Sequence, residues 1–142
     1  MSRCLSAREK ILTHTLDPHQ TADSLEARLA GEGAMAMSGR LEVMYQGTWG
    51  TVCDDDFGLV DADVACRQLG FAVADMILKG EQNPFGSGAE DSPIYMDDVA
   101  CTGKEDRLNQ CPFQGISRTN CNHREDVAIT CTTGMLLCIL PV

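Results

Sequence analysis

Carboxylate side chains beside cysteines are the groups in this sequence best suited to chemistry. Residues 54–56 are all aspartate and directly follow Cys53, while Glu125 and Asp126 come soon after Cys121. Carboxylates, together with backbone carbonyls and water, are the oxygen ligands that Ca²⁺ prefers. The runs lack the spacing of an EF-hand loop, so we expect any affinity to be modest. In the alternative interpretation, these aspartates cap backbone amides and face water.

Eight cysteines in a chain of 142 residues indicate that bonds between sulfur atoms hold the fold together. Zinc binding is the alternative, but it requires cysteine pairs separated by only a few residues. The central cysteines are all at least ten positions apart: Cys53, Cys66, Cys101, Cys111, Cys121 and Cys131. Disulfide bonds are therefore favoured over zinc, and the sequence alone leaves their pairing open.

The sequence offers little for catalysis. It contains neither a Gly-x-Ser-x-Gly elbow nor a His-Glu-x-x-His helix. His123 is the single histidine of the central region, and a lone histidine beside a cysteine is more often structural than catalytic. A catalytic Cys–His pair would need a free thiol, whereas the central cysteines are expected to be oxidised. We therefore predict a domain that is not an enzyme.

The net charge of the chain is −10, and the acidic excess lies within residues 25–132. An acidic domain repels the phosphate backbone, so we expect no nucleic acid partner. It attracts metal ions or basic patches of a partner, although a general acidic excess also serves solubility. The basic side chains form no run that would make a patch for polyanions; those considered are Arg40, Arg107, Arg118 and Arg124.

No stretch approaches the roughly 20 apolar residues of a membrane-spanning helix, so we expect no membrane insertion by this segment. The first residues lack the apolar core of a signal peptide, although the cysteines favour an oxidising compartment. We reconcile the two observations by predicting a fragment of a larger secreted or membrane-anchored protein. The predicted location is extracellular.

The elements that must position these groups begin with a hairpin and a helix. Alternating runs at 39–45 and 48–53 predict a β-hairpin, with Gly47 in its turn. Residues 61–69 predict the main helix from their apolar spacing. Its cap, its buried cysteine and its stop are expected at Asp61, Cys66 and Gly70.

The remaining elements are short, and the helix is the minority element. An exposed loop is expected at 79–93, strands at 94–101 and 127–131, and a short second helix at 105–111. The predicted fold class is α+β, a small, disulfide-rich, curved antiparallel sheet that cradles one main helix. We expect a poorly ordered lead-in at 1–24, one domain at 25–132 and a short apolar tail at 133–142.

Residues 25–132 resemble the scavenger receptor cysteine-rich family. The matching stretches are Gly39-Arg-Leu-Glu-Val, Gly47-Thr-Trp-Gly-Thr-Val-Cys-Asp-Asp, Val64-Ala-Cys-Arg-Gln-Leu-Gly, Phe85-Gly-Ser-Gly, Met96-Asp-Asp-Val-Ala-Cys, Cys121-Asn-His and Glu125-Asp. The resemblance implies three disulfide bonds, Cys53–Cys121, Cys66–Cys131 and Cys101–Cys111. It also implies the six-cysteine (group A) type, because Met37 and Phe71 stand where the other subgroup has its extra pair. Cys4 and Cys138 lie outside the matching region.

The same resemblance implies bound cations, Ca²⁺ or Mg²⁺, at two sites. The positions that match the first site are Asp54, Asp55 and Glu125. Those that match a second, weaker site are Asp97, Asp98 and Asn120.

Surface contacts to a ligand are expected at the hairpin and beside the acidic cluster, at Arg40, Glu42, Gln46 and Arg124. Gln46 departs from the family, where a basic residue is common at this position, and the neighbouring Leu41, Val43 and Trp49 are more readily explained as core. The function we expect is an extracellular recognition module for protein or polyanionic ligands, dependent on divalent cations. The alternative is a non-binding accessory domain of a larger protease or oxidase.

Overall fold

The structure is a computed structural model and describes residues 25–133. Its elements in chain order are β1 (Glu26–Met35), β2 (Ser38–Tyr45), β3 (Thr48–Val52), α1 (Leu59–Gln68), β4 (Val73–Leu78), β5 (Ile94–Met96) and β6 (Ala128–Thr132). The predicted lead-in, and the predicted tail except for Thr133, lie outside the described residues. No helix within 25–133 is long and apolar enough to cross a membrane.

The strands form one curled sheet in the order β4-β6-β2-β3-β5, and β1 pairs with the other edge of β2. The predicted α+β class, with one main helix against a small sheet, is confirmed. The sheet is mixed rather than purely antiparallel, because β3 and β5 run parallel. The chain passes through α1 and β4 between these two strands, and a crossover of this kind allows the second strand to enter in the same direction.

The predicted hairpin between β2 and β3 is confirmed. Tyr45 pairs with Thr48, so Gln46 and Gly47 alone make the turn, with φ angles of 49° and 82°. Both angles are left-handed, which suits the two-residue turns that match the twist of paired strands. Leu41 and Val43 of β2 are fully buried, as expected of core residues.

Trp49 of the same hairpin is only half-buried, contrary to its predicted place in the core. The Arg28 guanidinium lies over its ring, 4.2 Å from the centroid. One face of the indole is therefore covered by a cation from the neighbouring strand rather than by apolar side chains.

The main helix begins at Leu59, earlier than the predicted Asp61. Asp61 lies in the first turn, where its Oδ2 accepts a hydrogen bond from the Gly58 amide at 2.8 Å. Its Oδ1 accepts a second bond from the Cys101 amide at 2.7 Å, so the buried carboxylate also anchors the segment after β5. Gly70 follows the helix with φ of 94°, and Cys66 lies fully buried on the inner face, as predicted.

Two other local predictions need correction. The strand expected at 94–101 ends at Met96, because Asp98 adopts a left-handed φ of 52° and the chain leaves the sheet there. The helix expected at 105–111 is a single 3₁₀ turn, Leu108–Gln110. Strands β1 and β4 were not anticipated.

Three disulfide bonds join the pairs that the resemblance implies. Cys53–Cys121 and Cys66–Cys131 link positions 68 and 65 residues apart, and Cys101–Cys111 spans 10. The first two bonds tie β3 and α1 to the last third of the domain. In the chain-entropy model each long loop stabilises the fold by about 4 kcal/mol and the short one by about 3 kcal/mol.

We therefore expect reduction of the oxidised protein to unfold the domain. The double variant Cys66→Ala/Cys131→Ala should also lose more stability than Cys101→Ala/Cys111→Ala, because its loop is longer and both of its cysteines, rather than one, are buried among core residues. Guanidinium denaturation measures the difference. A native circular dichroism spectrum in excess reductant would contradict the first expectation, and equal losses the second.

The loop closed by Cys101–Cys111 is organised by Glu105. Its carboxylate accepts hydrogen bonds from the amides of Thr102 and Gly103, both at 2.9 Å, and from Thr102 Oγ1 at 3.0 Å. These bonds, the Thr102 amide foremost, lower the pKa of Glu105 from 4.5 to about 2. Arg67 of α1 donates to the carbonyls of Gly103 and Glu105, which attaches the loop to the helix.

Because the pKa of Glu105 is lower in the folded protein, its stabilising contribution is present above pH 4.5 and is lost as the pH falls towards 2. Glu105→Gln should therefore lower the unfolding free energy at neutral pH and make little difference near pH 2. Chemical denaturation of both proteins across this range tests the effect. A difference that stays constant with pH would contradict it.

Candidate metal centre

Asp55 is the centre of the acidic cluster. One group of possible metal ligands contains Asp55 and Glu125 with the sulfurs of Cys53 and Cys121, and another contains Asp55 with Asp97 and Asp98; within each group the ligand atoms lie within 4.8 Å of one another. Since both sulfurs belong to a disulfide bond, the first group offers two carboxylates and the second three. The two predicted sites therefore meet at a shared residue.

The cluster is assembled by the end of β3. Cys53 bonds covalently to Cys121 and forms an isolated antiparallel bridge with Asp126. The amide of the next residue, Asp54, donates to the Glu125 carbonyl at 2.7 Å. On the other side, the Cys53 amide donates to the Met96 carbonyl of β5 at 2.8 Å, directly before the two aspartates that follow that strand. Three distant acidic segments thus converge on one disulfide bond.

The Asp54 carboxylate is directed elsewhere. Its Oδ2 accepts a hydrogen bond from the Gly80 amide at 3.0 Å, at the start of a 3₁₀ turn. The pKa of Asp54 is raised overall, and burial is the largest cause. The Gly80 hydrogen bond and Lys79 lower it, while the charges of Glu125 and Asp126 raise it. Within residues 25–133, neither group that contains Asp55 includes Asp54. Of the first predicted ligand set, the structure brings together Asp55 and Glu125.

The pKa of Asp55 is also raised from its ordinary value. Partial burial is the largest cause, followed by the negative charges of Glu125, Asp97, Asp54 and Asp98. Like charges held at short range disfavour the ionised form, and a positive charge placed among them would relieve the repulsion.

The residues of the second predicted set, Asp97, Asp98 and Asn120, lie together. Asn120 contacts Asp97 through a hydrogen bond from its backbone amide. The Asn120 amide and the Thr119 hydroxyl donate to Asp97 Oδ2, at 3.4 and 2.9 Å. Asp97 is 2% exposed, and its Oδ1 is buried without a hydrogen-bond partner among the described residues. A cleft of about 310 Å³ adjoins this set; its lining residues are Asp97, Asp98, Gln114, Arg118, Thr119 and Asn120.

Two supporting residues were missed by the sequence analysis. The side-chain amide of Gln114 donates to Asp98 Oδ2 at 3.0 Å, and its backbone amide donates to the Asp97 carbonyl at 3.1 Å. Thr119 is the hydroxyl donor to Asp97. Both lie between Cys111 and Cys121, and no sequence pattern distinguishes them from other polar loop residues.

The four predicted ligand contacts divide into two kinds. Glu42 is 5% exposed and pairs with Arg28 and Arg40 at 2.6 and 2.8 Å. Arg40 also donates to the carbonyls of Phe85 and Gly86, so this ion pair ties the 83–88 loop to the sheet. A buried, paired Glu42 is not available to a ligand, which corrects its prediction as a contact.

Arg40 is corrected for the same reason, because its side chain is 12% exposed and bonded internally. Gln46 and Arg124 are exposed, and their role as contacts stays a prediction.

His123 is held on both sides. Its Nδ1 lies 2.9 Å from Asp126 Oδ2, and its Nε2 lies 2.8 Å from the Ser92 carbonyl. With acceptor oxygens at both nitrogens, the ring links the turn before β6 to the 88–93 loop. It borders a cleft of about 710 Å³, but an Nε2 that donates to a carbonyl cannot act as a general base. The geometry agrees with a structural histidine.

A small mixed sheet around one helix, held by three disulfide bonds and carrying an acidic cluster, defines a class of small disulfide-stapled domain. Residues 31–132 match the scavenger receptor cysteine-rich domain. The chain belongs to this family.

Solved structures agree with this assignment. The third SRCR domain of murine neurotrypsin is 40% identical with a TM-score of 0.65, and the alignment covers 76% of this chain and 96% of that one. The dimeric form of the SRCR domain of mouse MARCO is 36% identical with a TM-score of 0.60, covering 74% and 93%.

Among curated proteins the chain is similar to lysyl oxidase homologs. It is 46% identical to lysyl oxidase homolog 4 of Bos taurus over 112 residues, 79% of this chain and 14% of that protein. It is 47% identical to lysyl oxidase homolog 2A of Danio rerio over 107 residues, again 14% of that protein. In these relatives the module is a small part of a larger protein.

The raised pKa of Asp55 generates a stability prediction. Above its ordinary value of 3.8, ionised Asp55 costs the fold stability because the folded state disfavours the charge. Asp55→Asn should therefore raise the thermal midpoint in the presence of a chelator at neutral pH, and the gain should vanish below pH 3.8.

Asp56→Asn is the matched control, since Asp56 is exposed and its φ of 58° is one that Asn also adopts. An equal rise in the midpoint of both variants would show that net charge, rather than the cluster, is responsible.

Proposed function

We propose that the domain is an extracellular recognition module that binds a divalent cation, Ca²⁺ or Mg²⁺, among Asp55, Asp97 and Asp98, and contacts its ligand through that ion. The observation that carries this proposal is the buried Asp97 Oδ1, which has no hydrogen-bond partner in the described part of the chain and lies beside two further carboxylates. The three disulfide bonds support the extracellular location, because such bonds persist in oxidising compartments.

A cation satisfies two requirements of this cluster at once. A buried carboxylate oxygen that accepts no hydrogen bond is costly, and coordination to a metal removes that cost. The same ion offsets the repulsion that raises the pKa of Asp55. Carboxylates, with water to complete the shell, are ligands of the kind that Ca²⁺ and Mg²⁺ take.

The second predicted site has stronger support than the first. Asp55 and Glu125 alone provide two carboxylates, whereas Asp55 with Asp97 and Asp98 provides three, one of them with the buried oxygen. Glu125 then adds negative charge to the edge of the same cluster. We place the principal ion at the three aspartates and treat the pair with Glu125 as a weaker neighbouring position.

The ion determines which ligands the cluster accepts. Without it, the cluster repels acidic groups; with it, most of the negative charge is neutralised, and open coordination positions can take oxygen ligands from a partner. A protein or a polyanion that presents carboxylate or sulfate groups is therefore the proposed ligand.

Titration calorimetry of the oxidised chain with CaCl₂ tests the proposal. We expect binding with a dissociation constant on the order of 10⁻⁴–10⁻³ M, the range of extracellular modules without a dedicated Ca²⁺ loop. Added Ca²⁺ should also raise the thermal midpoint, since a ligand that binds only the folded state stabilises it. Asp55→Asn should abolish the calcium-dependent shift.

Asp56→Asn removes the same charge next to the site and should retain both the heat and the shift. The proposal fails if the wild-type chain gives neither signal with Ca²⁺ or Mg²⁺, or if Asp56→Asn loses as much as Asp55→Asn.

The comparisons favour a second candidate function. The chain spans 14% of the lysyl oxidase homologs it matches, so a module of this kind can serve chiefly to position a neighbouring domain. The coding sequence on either side distinguishes the candidates: an oxidase or protease domain would favour the accessory role. A row of similar modules would favour recognition.

A further inference from the structure

We propose that Arg118 is the second anchor of the ligand, binding an oxyanion, carboxylate or sulfate, that at the same time coordinates the cation at Asp97 and Asp98. The inference rests on the proposed cation site and adds the chemistry of the group that docks there. It is drawn from the position of Arg118 in the cleft and from the lack of a carboxylate partner for its charge among the residues that the structure describes.

Arg118 lines the same cleft of about 310 Å³ as Asp97 and Asp98. The turn that carries it is tied to β5, because the Ser117 amide donates to the Tyr95 carbonyl at 3.1 Å. Asp97 follows the end of that strand, and its carbonyl accepts from the Gln114 amide. One strand end therefore sets both the aspartates and the arginine.

The turn itself is well defined. The Arg118 amide donates to the Gly115 carbonyl at 3.0 Å, and Gly115 and Ser117 both have left-handed φ angles, 105° and 62°. A Cβ placed on Gly115 would lie 3.3 Å from Arg118 Cδ, so the side-chain stem lies close against the turn. The guanidinium is thus presented from a short, hydrogen-bonded loop.

The charge of Arg118 has no carboxylate partner within 4.0 Å among residues 25–133, although it borders an acidic cleft. The other arginines near the sheet and helix are committed: Arg28 and Arg40 pair with Glu42, and Arg67 donates to two carbonyls. Arg118 is exposed. Its donors are therefore free to meet a group from outside the chain.

An oxyanion is the group that suits both neighbours. One of its oxygens can replace water on the cation while the others accept paired hydrogen bonds from the planar guanidinium. A cationic ligand group can neither coordinate the ion nor accept a hydrogen bond from Arg118. The cleft with its cation is accordingly selective for acidic ligands, despite the negative charge of the whole domain.

The test uses the oxidised full chain and two probes, heparin for sulfate and poly-L-glutamate for carboxylate, each in Ca²⁺ and in chelator. Arg118→Gln should weaken calcium-dependent binding of at least one probe by about ten- to a hundredfold, the loss expected for charge-assisted hydrogen bonds. Its Ca²⁺ titration should be unchanged or slightly tighter, because a positive charge beside the ion has been removed. The probe that loses affinity identifies the oxyanion.

Lys104→Gln is the control, an equal loss of charge at an exposed residue that lines neither cleft. It should bind both probes as the wild type does. The inference is overturned if Arg118→Gln binds as tightly as the wild type, if Lys104→Gln weakens as much, or if Ca²⁺ binds but neither probe does. In each of these cases a normal Ca²⁺ titration leaves the proposed cation site intact, whereas its absence in the wild type overturns the site itself.

Discussion

The Cys53–Cys121 disulfide bond is the constraint on which the candidate site depends. It joins positions 68 residues apart and thereby holds the end of β3 beside the turn that carries Glu125. The backbone completes the arrangement, since the Cys53 amide also donates to Met96 at the end of β5. Without the covalent link, the like charges of these segments would favour separation. With it, they share one small volume at low entropic cost, because the bond limits the unfolded chain as well.

The parts of the fold that follow from local pattern were predictable from the sequence. The β2–β3 hairpin has alternating residues and a turn glycine, and α1 has helical spacing followed by Gly70. Strand β4 escaped prediction because it lies at the edge of the sheet, where only one neighbour restricts its side chains. The long strand β1 contains Gly31 and Gly33 with left-handed φ angles, and its pairing with β2 is irregular there, which obscures a regular alternation.

The candidate site was predictable in its residue types and only partly in its geometry. Neighbours in sequence can point in different directions, and Asp54 turns to the Gly80 amide while Asp55 faces the cluster. Glu42 was misassigned for a related reason. The register places it opposite Arg28, and Arg40 two positions earlier lies on the same face, so two cations enclose it. Register between distant strands depends on the whole sheet and is not written in either segment alone.

The same charges that recommend the cluster as a binding site weaken it as a piece of structure. The carboxylates near Asp55 raise the cost of ionising it, and Asp97 keeps a buried oxygen without a donor among residues 25–133. A sequence selected for stability alone would replace one of these residues with an amide or an apolar side chain. The long-range disulfide bonds allow the domain to tolerate this local cost, because the stability they contribute does not depend on the cluster. Local instability confined to an otherwise stapled scaffold is what a site under functional selection is expected to show, because selection for stability alone would remove it.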